Sequence, residues 1–370
     1  MSESHAELAA LRQAFGASSD ELTGAEAVLA PRDAGEASAA LRWASRSGAR
    51  VLVRGGGTHQ GLGYPLDPDL VISTERLGSI VAWEPEDLTL VVEAGAPVSR
   101  VEAMLAERGQ TAVMPERPGS ATIGGVVSAG VSGFRRRRYG PTRDRMLEVT
   151  LVTGDGRLVT GGGRVVKNVS GYDLPRLAVG AFGSLGLVVS VCLKLWPIGE
   201  SLATVTLDDP DRADLLSRPL AVLDLNGQVT AYLGGTPGEV DEQSRLCGGE
   251  RRDGLVWPDD PAGTYRWSLR VPPKHTRYAS GRVPNGWDRL ALLGVGEIRL
   301  ASASIEGHRD LRAWAEGIGG ALVMVDGPDE AYADLDPWGT PPASVEIQRR
   351  LIAAFDPARV INPGRLPGRL

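Results

Sequence analysis

Two glycine-rich segments hold the residues best suited to grip an anion. Residues 54–63 read RGGGTHQGLG, with five glycines in ten positions, and residues 118–133 read PGSATIGGVVSAGVSG. Glycine has no Cβ and tolerates positive φ, so a run of it lets main-chain N–H groups converge on an anion. In the second segment Ser120 or Thr122 is placed to cap an apolar helix, whose free amides and dipole would favour a phosphate. Two such loops face to face would enclose a diphosphate, while either alone reads equally well as a tight turn between buried strands. Neither is a standard nucleotide fingerprint. Gly55 and Gly57 supply G-x-G, but Gln60 stands where a third glycine belongs. The only lysines are Lys167, Lys194 and Lys274, and none follows a glycine, so the P-loop pattern is absent.

Three other groups could do chemistry. Lys167 leads into Asn168, Ser170, Gly171, Tyr172 and Asp173, which reads either as a cation near a reacting group or as a surface turn before a helix capped by Asp173. PPKHTRY, residues 272–278, reads as a carboxylate-binding loop or as a plain arginine-bearing loop. Arg135, Arg136, Arg137 and Arg138 read as a solvated loop or a docking site for an acidic partner. His5, His59, His275 and His308 lack the spacing of a metal pair, so no metal site is expected, and Cys192 and Cys247 fall short of the four thiolates an iron–sulfur cluster needs.

The elements around these residues follow from apolar spacing. Residues 36–47 predict a helix with Ala37, Ala40, Leu41 and Ala44 on one face. A strand then runs into the first glycine loop. Short strands are expected at 70–74, 79–83 and 88–95, then a helix from Pro97 to Arg108. Residues 146–163 predict a hairpin turning at Gly154-Asp155-Gly156. From about 198 to 340 the motifs thin out into alternating strands such as 321–325, and the tail carries a helix over 344–355.

Composition bounds the function. The chain has 370 residues, 42% of them apolar, a net charge of -6 and only 5% aromatics, which disfavours a nucleic-acid binder. Glycine numbers 48 without a G-x-y period, so the excess is local. An acidic N-terminus and apolar stretches no longer than about Leu185–Leu193 predict neither signal peptide nor membrane span, and hence a cytoplasmic protein.

Taken together and in order, RGGGTHQGLG, PGSATIGGVVSAGVSG, RRYGPTRDRMLEVTLVTGDGRLV, KNVSGYDLPRLAVGAFGSLGLVV and FDPARVINPGRL resemble the FAD-linked oxidases of the vanillyl-alcohol-oxidase type. Within them the chain is most similar to the smaller FAD-binding subunits of bacterial glycolate oxidases. The resemblance implies an α+β chain: a two-subdomain PCMH-type FAD-binding fold with a smaller α+β cap domain. Its divisions would be an N-terminal extension (1–19), the FAD-binding domain (20–197, subdomains 20–78 and 79–197), the cap (198–340) and a C-terminal segment (341–370) returning to the FAD domain. It makes Arg54, Gly55, Gly56, Gly57, Thr58 and His59 the first diphosphate loop. Pro118, Gly119, Ser120, Thr122, Gly124, Gly125 and Ser128 would lie along the diphosphate and flavin ring. Gly186 and Val188 fall where backbone meets adenine, and Asn362 and Gly364 on a turn that returns to the flavin. Some relatives attach FAD covalently through a histidine at the position of Thr58, so non-covalent FAD is expected, with His59 contributing at most a hydrogen bond.

The implied function is a flavoprotein subunit of a glycolate (2-hydroxy acid) oxidase, passing electrons from substrate to an iron–sulfur partner. Expected partners are a larger paralogous FAD subunit and an iron–sulfur subunit, with a small 2-hydroxy acid as substrate and no nucleic acid. The residues themselves name no catalytic group. A stand-alone FAD-dependent 2-hydroxy acid dehydrogenase and a non-catalytic scaffold remain the alternatives.

Overall fold

The computed structural model describes residues 3–15, 25, 27–164 and 171–370. Lys167, Asn168 and Ser170, singled out above, lie outside the described residues.

A parallel three-stranded sheet comes first: β1 (Ala27–Leu29), β2 (Val51–Arg54) and β3 (Leu70–Ser73), in the order β1-β3-β2. Parallel strands need a crossover connection, and the helix Ala34–Ser47 supplies the one from β1 to β2, which flank β3. Asp33 caps its start by accepting from the Glu36 N–H, and Gly48 ends it in the left-handed region. Its face of Ala37, Ala40, Leu41 and Ala44 is buried with Leu29, Val51 and Ile72 of the sheet. Small alanines let the helix lie close to the sheet, which fixes the direction in which β2 leaves it.

The chain then runs through β4 (Ile80–Glu84), β5 (Thr89–Glu93), the two-residue β6 (Gln110–Thr111), β7 (Met146–Val152), β8 (Leu158–Gly162), β9 (Leu187–Lys194) and the two-residue β10 (Trp196–Pro197). Five of these form an antiparallel sheet in the order β4-β5-β9-β7-β8, while β10 pairs with β6. The predicted helix after β5 is shorter than expected, Val98–Ala106, with Pro97 at its cap position. It buries Val98, Val101 and Leu105 against this sheet. The glycine turn at 154–156 joins β7 to β8 as expected.

The region from Ser201 to Asp326 forms one antiparallel sheet of eight strands. They are β11 (Ser201–Thr206), β12 (Ala221–Leu225), β13 (Gln228–Gly235), β14 (Arg251–Asp253), β15 (Tyr265–Arg270), β16 (Asp288–Leu292), β17 (Glu297–Ser302) and β18 (Ala321–Asp326), in the order β14-β11-β13-β12-β16-β17-β15-β18. Strand residues alternate between two faces. One face, with Trp267, Leu269, Ile298 and Leu300, forms a large core that also takes in Val240 of the helix Pro237–Cys247 and Leu311 of His308–Gly317. The opposite face carries Leu223, Leu290 and Leu292, which cluster with Phe134 from the loop after the second glycine segment. The apolar half of this face therefore joins the two parts of the molecule, and its polar half, on β15 and β17, is left facing a cavity.

The tail runs back to the first sheet. After the helix Val345–Phe355, Val51 and Ile361 form a parallel bridge, and the Asn362 N–H donates to the Val51 carbonyl at 2.8 Å. The C-terminal segment thus extends the first sheet beside the strand that leads into the glycine loop.

Candidate functional site

The first glycine loop leaves β2 and bends away from the sheet, because Arg54 is the last residue to pair with β3. Among the described residues, none of the N–H groups from Gly55 to Gln60 donates to a main-chain carbonyl. Unpaired amides on a partly exposed loop are donors in want of an acceptor, and an oxyanion satisfies several at once. The second segment packs directly onto this loop. A Cβ on Gly56 would collide with the Ser120 carbonyl, and one on Gly55 with the Thr122 hydroxyl. The Ser120 hydroxyl donates to the Gly56 carbonyl at 2.7 Å, locking the two loops together.

Of the two candidate caps in the second segment, Thr122 caps the helix Ile123–Ala129, accepting from Gly125 N–H at 3.2 Å. The expectation of free amides at the start of that helix is overturned: Ile123 donates to the Ala96 carbonyl at 2.9 Å and Gly124 to Ala94 at 2.7 Å. This follows from how tightly the helix start is pressed on the turn after β5, where a Cβ on Gly124 would enter Ala94. Gly124 thus serves close packing, while the amides of the first loop stay open.

Two neighbouring cavities adjoin these loops, sharing Thr58 and His59 in their walls. The smaller, about 80 Å³, is lined by Gly55, Gly56, Gly57, Thr58, His59, Thr122, Gly124, Gly125, Ser128, Val188 and Asn362, so eleven of the predicted residues meet at one cleft. The larger, about 840 Å³, is the size of a cofactor site. It is lined by Thr58, His59, Pro118 and Gly119, and Thr58 and His59 thus border both spaces. Arg54, Ser120 and Gly186 line neither. Arg54 accepts through its carbonyl from the Thr74 N–H at 2.9 Å, Ser120 is the loop lock, and Gly186 opens β9 at φ 147, pressed against the Val152 carbonyl. Gly364 sits at φ 75 and lines neither cavity.

The tail holds the first loop from behind. Asn362, at φ 48, accepts through Oδ1 from the Val53 N–H at 3.2 Å and donates through Nδ2 to the Phe182 carbonyl. Sequence reasoning missed its neighbour Arg365. That buried guanidinium donates to the Gln60 side chain at 2.9 Å, to the Gln60 carbonyl, and to the Leu62 carbonyl at 2.8 Å. Burial lowers its pKa. Tyr332 adds a hydroxyl donated to the Gly61 carbonyl, and burial pushes its pKa up to about 12. The signal for Arg365 was its position in the NPGR run already noted for Asn362; nothing in the sequence pointed to Tyr332.

Across the larger cavity stand β15 and β17. Alternation puts Arg266, Ser268 and Arg270 on one face of β15, with Arg299 opposite Ser268 and Glu297 opposite Arg270 on β17. Arg299 is held by Asp260 at 2.7 Å, by Glu297 at 3.3 Å and by the Ser132 carbonyl at 3.2 Å. Burial works against its charge, but Glu297 and Asp260 outweigh it and raise its pKa. The His59 ring lies on Thr58, Nδ1 to Oγ1 at 3.0 Å. Burial, then Arg266 and Arg299, hold its pKa below the ordinary imidazole value, so it is neutral at pH 7.

The remaining candidates fall elsewhere. The arginine run is not a solvated loop: Arg135 pairs at 2.8 Å with the buried Glu116, and Arg136 reaches Glu297 at 3.5 Å. The run forms the short helix Arg136–Tyr139 beside the cap sheet, because Glu116 and Glu297 lie within reach only after folding. In PPKHTRY, Arg277 is engaged by Asp211 at 2.7 Å and Asp214 at 3.5 Å, away from both cavities. His308 is buried and stacked on Trp267 in the cap core. Asp173 caps the helix Leu174–Ala178 through the Arg176 N–H. Among the described residues there is no group of three or more His, Cys, Asp or Glu placed to hold a metal.

Residues 25–162 match the FAD binding domain family. The chain is 28% identical to glycolate oxidase subunit GlcE of Escherichia coli over 342 residues, 86% of this chain and 93% of that one. It is 36% identical to D-2-hydroxyglutarate dehydrogenase of Xanthomonas citri over 171 residues, which is 46% of this chain but only 36% of that enzyme. The fold resembles that of a chitooligosaccharide oxidase at a TM-score of 0.66 and 15% identity, covering 96% of this chain and 97% of the other.

Proposed function

We propose that this chain, an FAD-binding protein of the FAD-linked oxidases, is the flavoprotein subunit of a glycolate (2-hydroxy acid) oxidase that delivers electrons to an iron–sulfur partner. The observation that carries the reading is the extent of similarity to the Escherichia coli glycolate oxidase subunit. It runs through 93% of that subunit's length and 86% of this chain, whereas the hydroxy-acid dehydrogenase of Xanthomonas citri shares only 36% of its own length.

The residues present fit the cofactor. The open amides of Gly55 to Gln60 form a cradle for a diphosphate, and Cβ-free Gly55 and Gly56 allow the second segment to close over it. Pro118 and Gly119 would lie along the flavin, with Ser120 locking the two loops, Val188 toward the adenine, and Asn362 at the turn beneath the ring. Thr58 stands where covalently flavinylated relatives carry histidine, so the flavin is held without a covalent bond. FAD supplies a two-electron acceptor that no side chain provides. The chain's own residues orient it and keep water from the cleft between loop and cap. In this reading 20–197 binds FAD, 198–340 covers it and 341–370 fastens the cradle.

With two cysteines, Cys192 and Cys247, both buried, this chain has too few thiolates for a cluster, so the onward relay lies on another polypeptide. A larger paralogous flavoprotein and an iron–sulfur chain are the proposed partners. Among the described residues no helix is long and apolar enough to cross a membrane. The test is purification from the native host with flavin and iron analysis. Co-purification with a larger flavoprotein and an iron-containing chain is expected. A lone, glycolate-reducible flavoprotein would favour a stand-alone dehydrogenase, and a colourless chain that takes up no FAD a scaffold.

A further inference from the structure

The larger cavity carries more positive charge than its cofactor loop explains. Six arginines and three carboxylates line it, in a chain whose net charge is -6. Most of these arginines are committed: Arg299 to Asp260 and Glu297, Arg136 to Glu297, Arg266 to Asp326, and Arg117 to Asp259 at 3.4 Å. Arg270 is not. Among the described residues its guanidinium has no carboxylate partner and no side-chain hydrogen bond, and the residue lines the cavity while staying exposed.

A second, independent observation lies two residues away. Ser268 is only 7% exposed, lines the same cavity, and its Oγ has no hydrogen-bond partner. A buried hydroxyl without a partner costs roughly 1–3 kcal/mol and is normally avoided. Residues i and i+2 of a strand share a face and stand about 6–7 Å apart, so Ser268 and Arg270 can converge on one small anion from the same side. The neighbouring Arg299–Glu297 pair closes the floor on β17 and is already satisfied, which leaves the open donors to Ser268 and Arg270.

We propose that Ser268 and Arg270 on the cap sheet form a subsite for the carboxylate of a small organic acid, facing the flavin side of the cavity. The inference rests on the flavoprotein reading above and deepens it: this chain holds a substrate-sized acid on its own cap. The Arg270 guanidinium supplies charge and a donor fork, and the Ser268 hydroxyl a directional hydrogen bond. Thr58 and His59 border the cavity from the cofactor loop. His59 is neutral there, so it adds no competing cation.

The test uses the full-length chain, FAD-loaded and FAD-free, titrated calorimetrically with oxalate, a carboxylate probe with no oxidisable hydroxyl. Saturable binding at one oxalate per chain is expected. Arg270→Gln should weaken it at least about tenfold, as expected for losing a charge-assisted hydrogen bond. Ser268→Ala should weaken it several-fold, and Arg270→Lys should recover part of the loss. FAD content and melting behaviour should match wild type in all three, which separates a lost subsite from a lost fold. Oxalate that fails to bind FAD-loaded protein, or binds wild type and Arg270→Gln alike, would overturn the subsite and leave the flavoprotein reading intact. Inorganic phosphate binding more tightly than oxalate through Arg270 would overturn the assignment to a carboxylate. A chain that takes up no FAD yet binds oxalate through Arg270 would support the subsite and sink the flavoprotein reading.

Discussion

The glycine loop and the cap sheet face each other across one cavity, and they are built on opposite plans. The loop offers backbone: open amides from Gly55 to Gln60, held by Ser120, Asn362 and Arg365 from behind. The cap offers side chains: Ser268, Arg270 and Arg299, aimed by strand alternation and by the register of β15 on β17. A site made of backbone tolerates almost no added atom but is indifferent to the chemistry of most side chains. A site made of side chains tolerates changes of size at the rim but depends on each functional group. Substitutions on the two sides should therefore fail differently, the loop by losing cofactor and the cap by losing the small acid.

The largest effect is expected at the loop contact. Gly56→Val places a branched side chain where the Ser120 carbonyl sits, so the two loops must part. Overpacking of this kind costs roughly 1–3 kcal/mol or more, and the protein should purify without flavin. Normal FAD content by absorbance would show that the loops are not pressed together in solution.

Arg365→Met tests the support behind the loop. It strips donors from the carbonyls of Gln60 and Leu62 and from the Gln60 side chain while keeping the apolar bulk. Buried carbonyls left without a donor cost about 1–3 kcal/mol, so the denaturation midpoint should fall and FAD should dissociate faster. An unchanged midpoint would mean that the loop holds its shape without the tail.

The smallest effect is electrostatic and crosses the cavity. Burial first, then Arg266 and Arg299, keep the folded pKa of His59 below its unfolded value. The group therefore adds stability above the ordinary imidazole pKa. That contribution fades as pH falls from there toward the lowered folded value, because the unfolded chain takes up a proton that folded His59 resists. Arg266→Met should raise the His59 pKa in an NMR titration and flatten the loss of stability between neutral and mildly acidic pH. An unmoved titration would place Arg266 out of electrostatic reach of the loop.

The same contrast explains what the sequence disclosed. RGGGTHQGLG announced a backbone site because only glycine serves where Gly56 meets Ser120, and Thr122 was legible as a cap from its place before an apolar run. The elements read from apolar spacing at 36–47, 70–74, 79–83, 88–95 and 97–108 lie within a few residues of those observed, whereas short pieces such as Ala27–Leu29 and Gln110–Thr111 carried too few residues to show a period. The donor role given to the helix after Thr122 was not sound, since the contact of Gly124 with Ala94 that occupies its amides is long-range. Arg135 looked solvated because its partner Glu116 is nineteen residues away with no shared period. Ser268 and Arg270 were invisible for a related reason: their meaning depends on which face of an eight-stranded sheet meets the cavity, and composition does not encode register.

The central claim is that this chain holds FAD in the cradle between Gly55–Gln60 and the segment at 118–125. Reconstitution of the full-length protein with FAD, followed by acid precipitation, tests it most directly. One FAD per chain, released completely into the supernatant, is the predicted result. A protein that takes up no FAD would contradict the cradle, and flavin retained in the precipitate would contradict its non-covalent character.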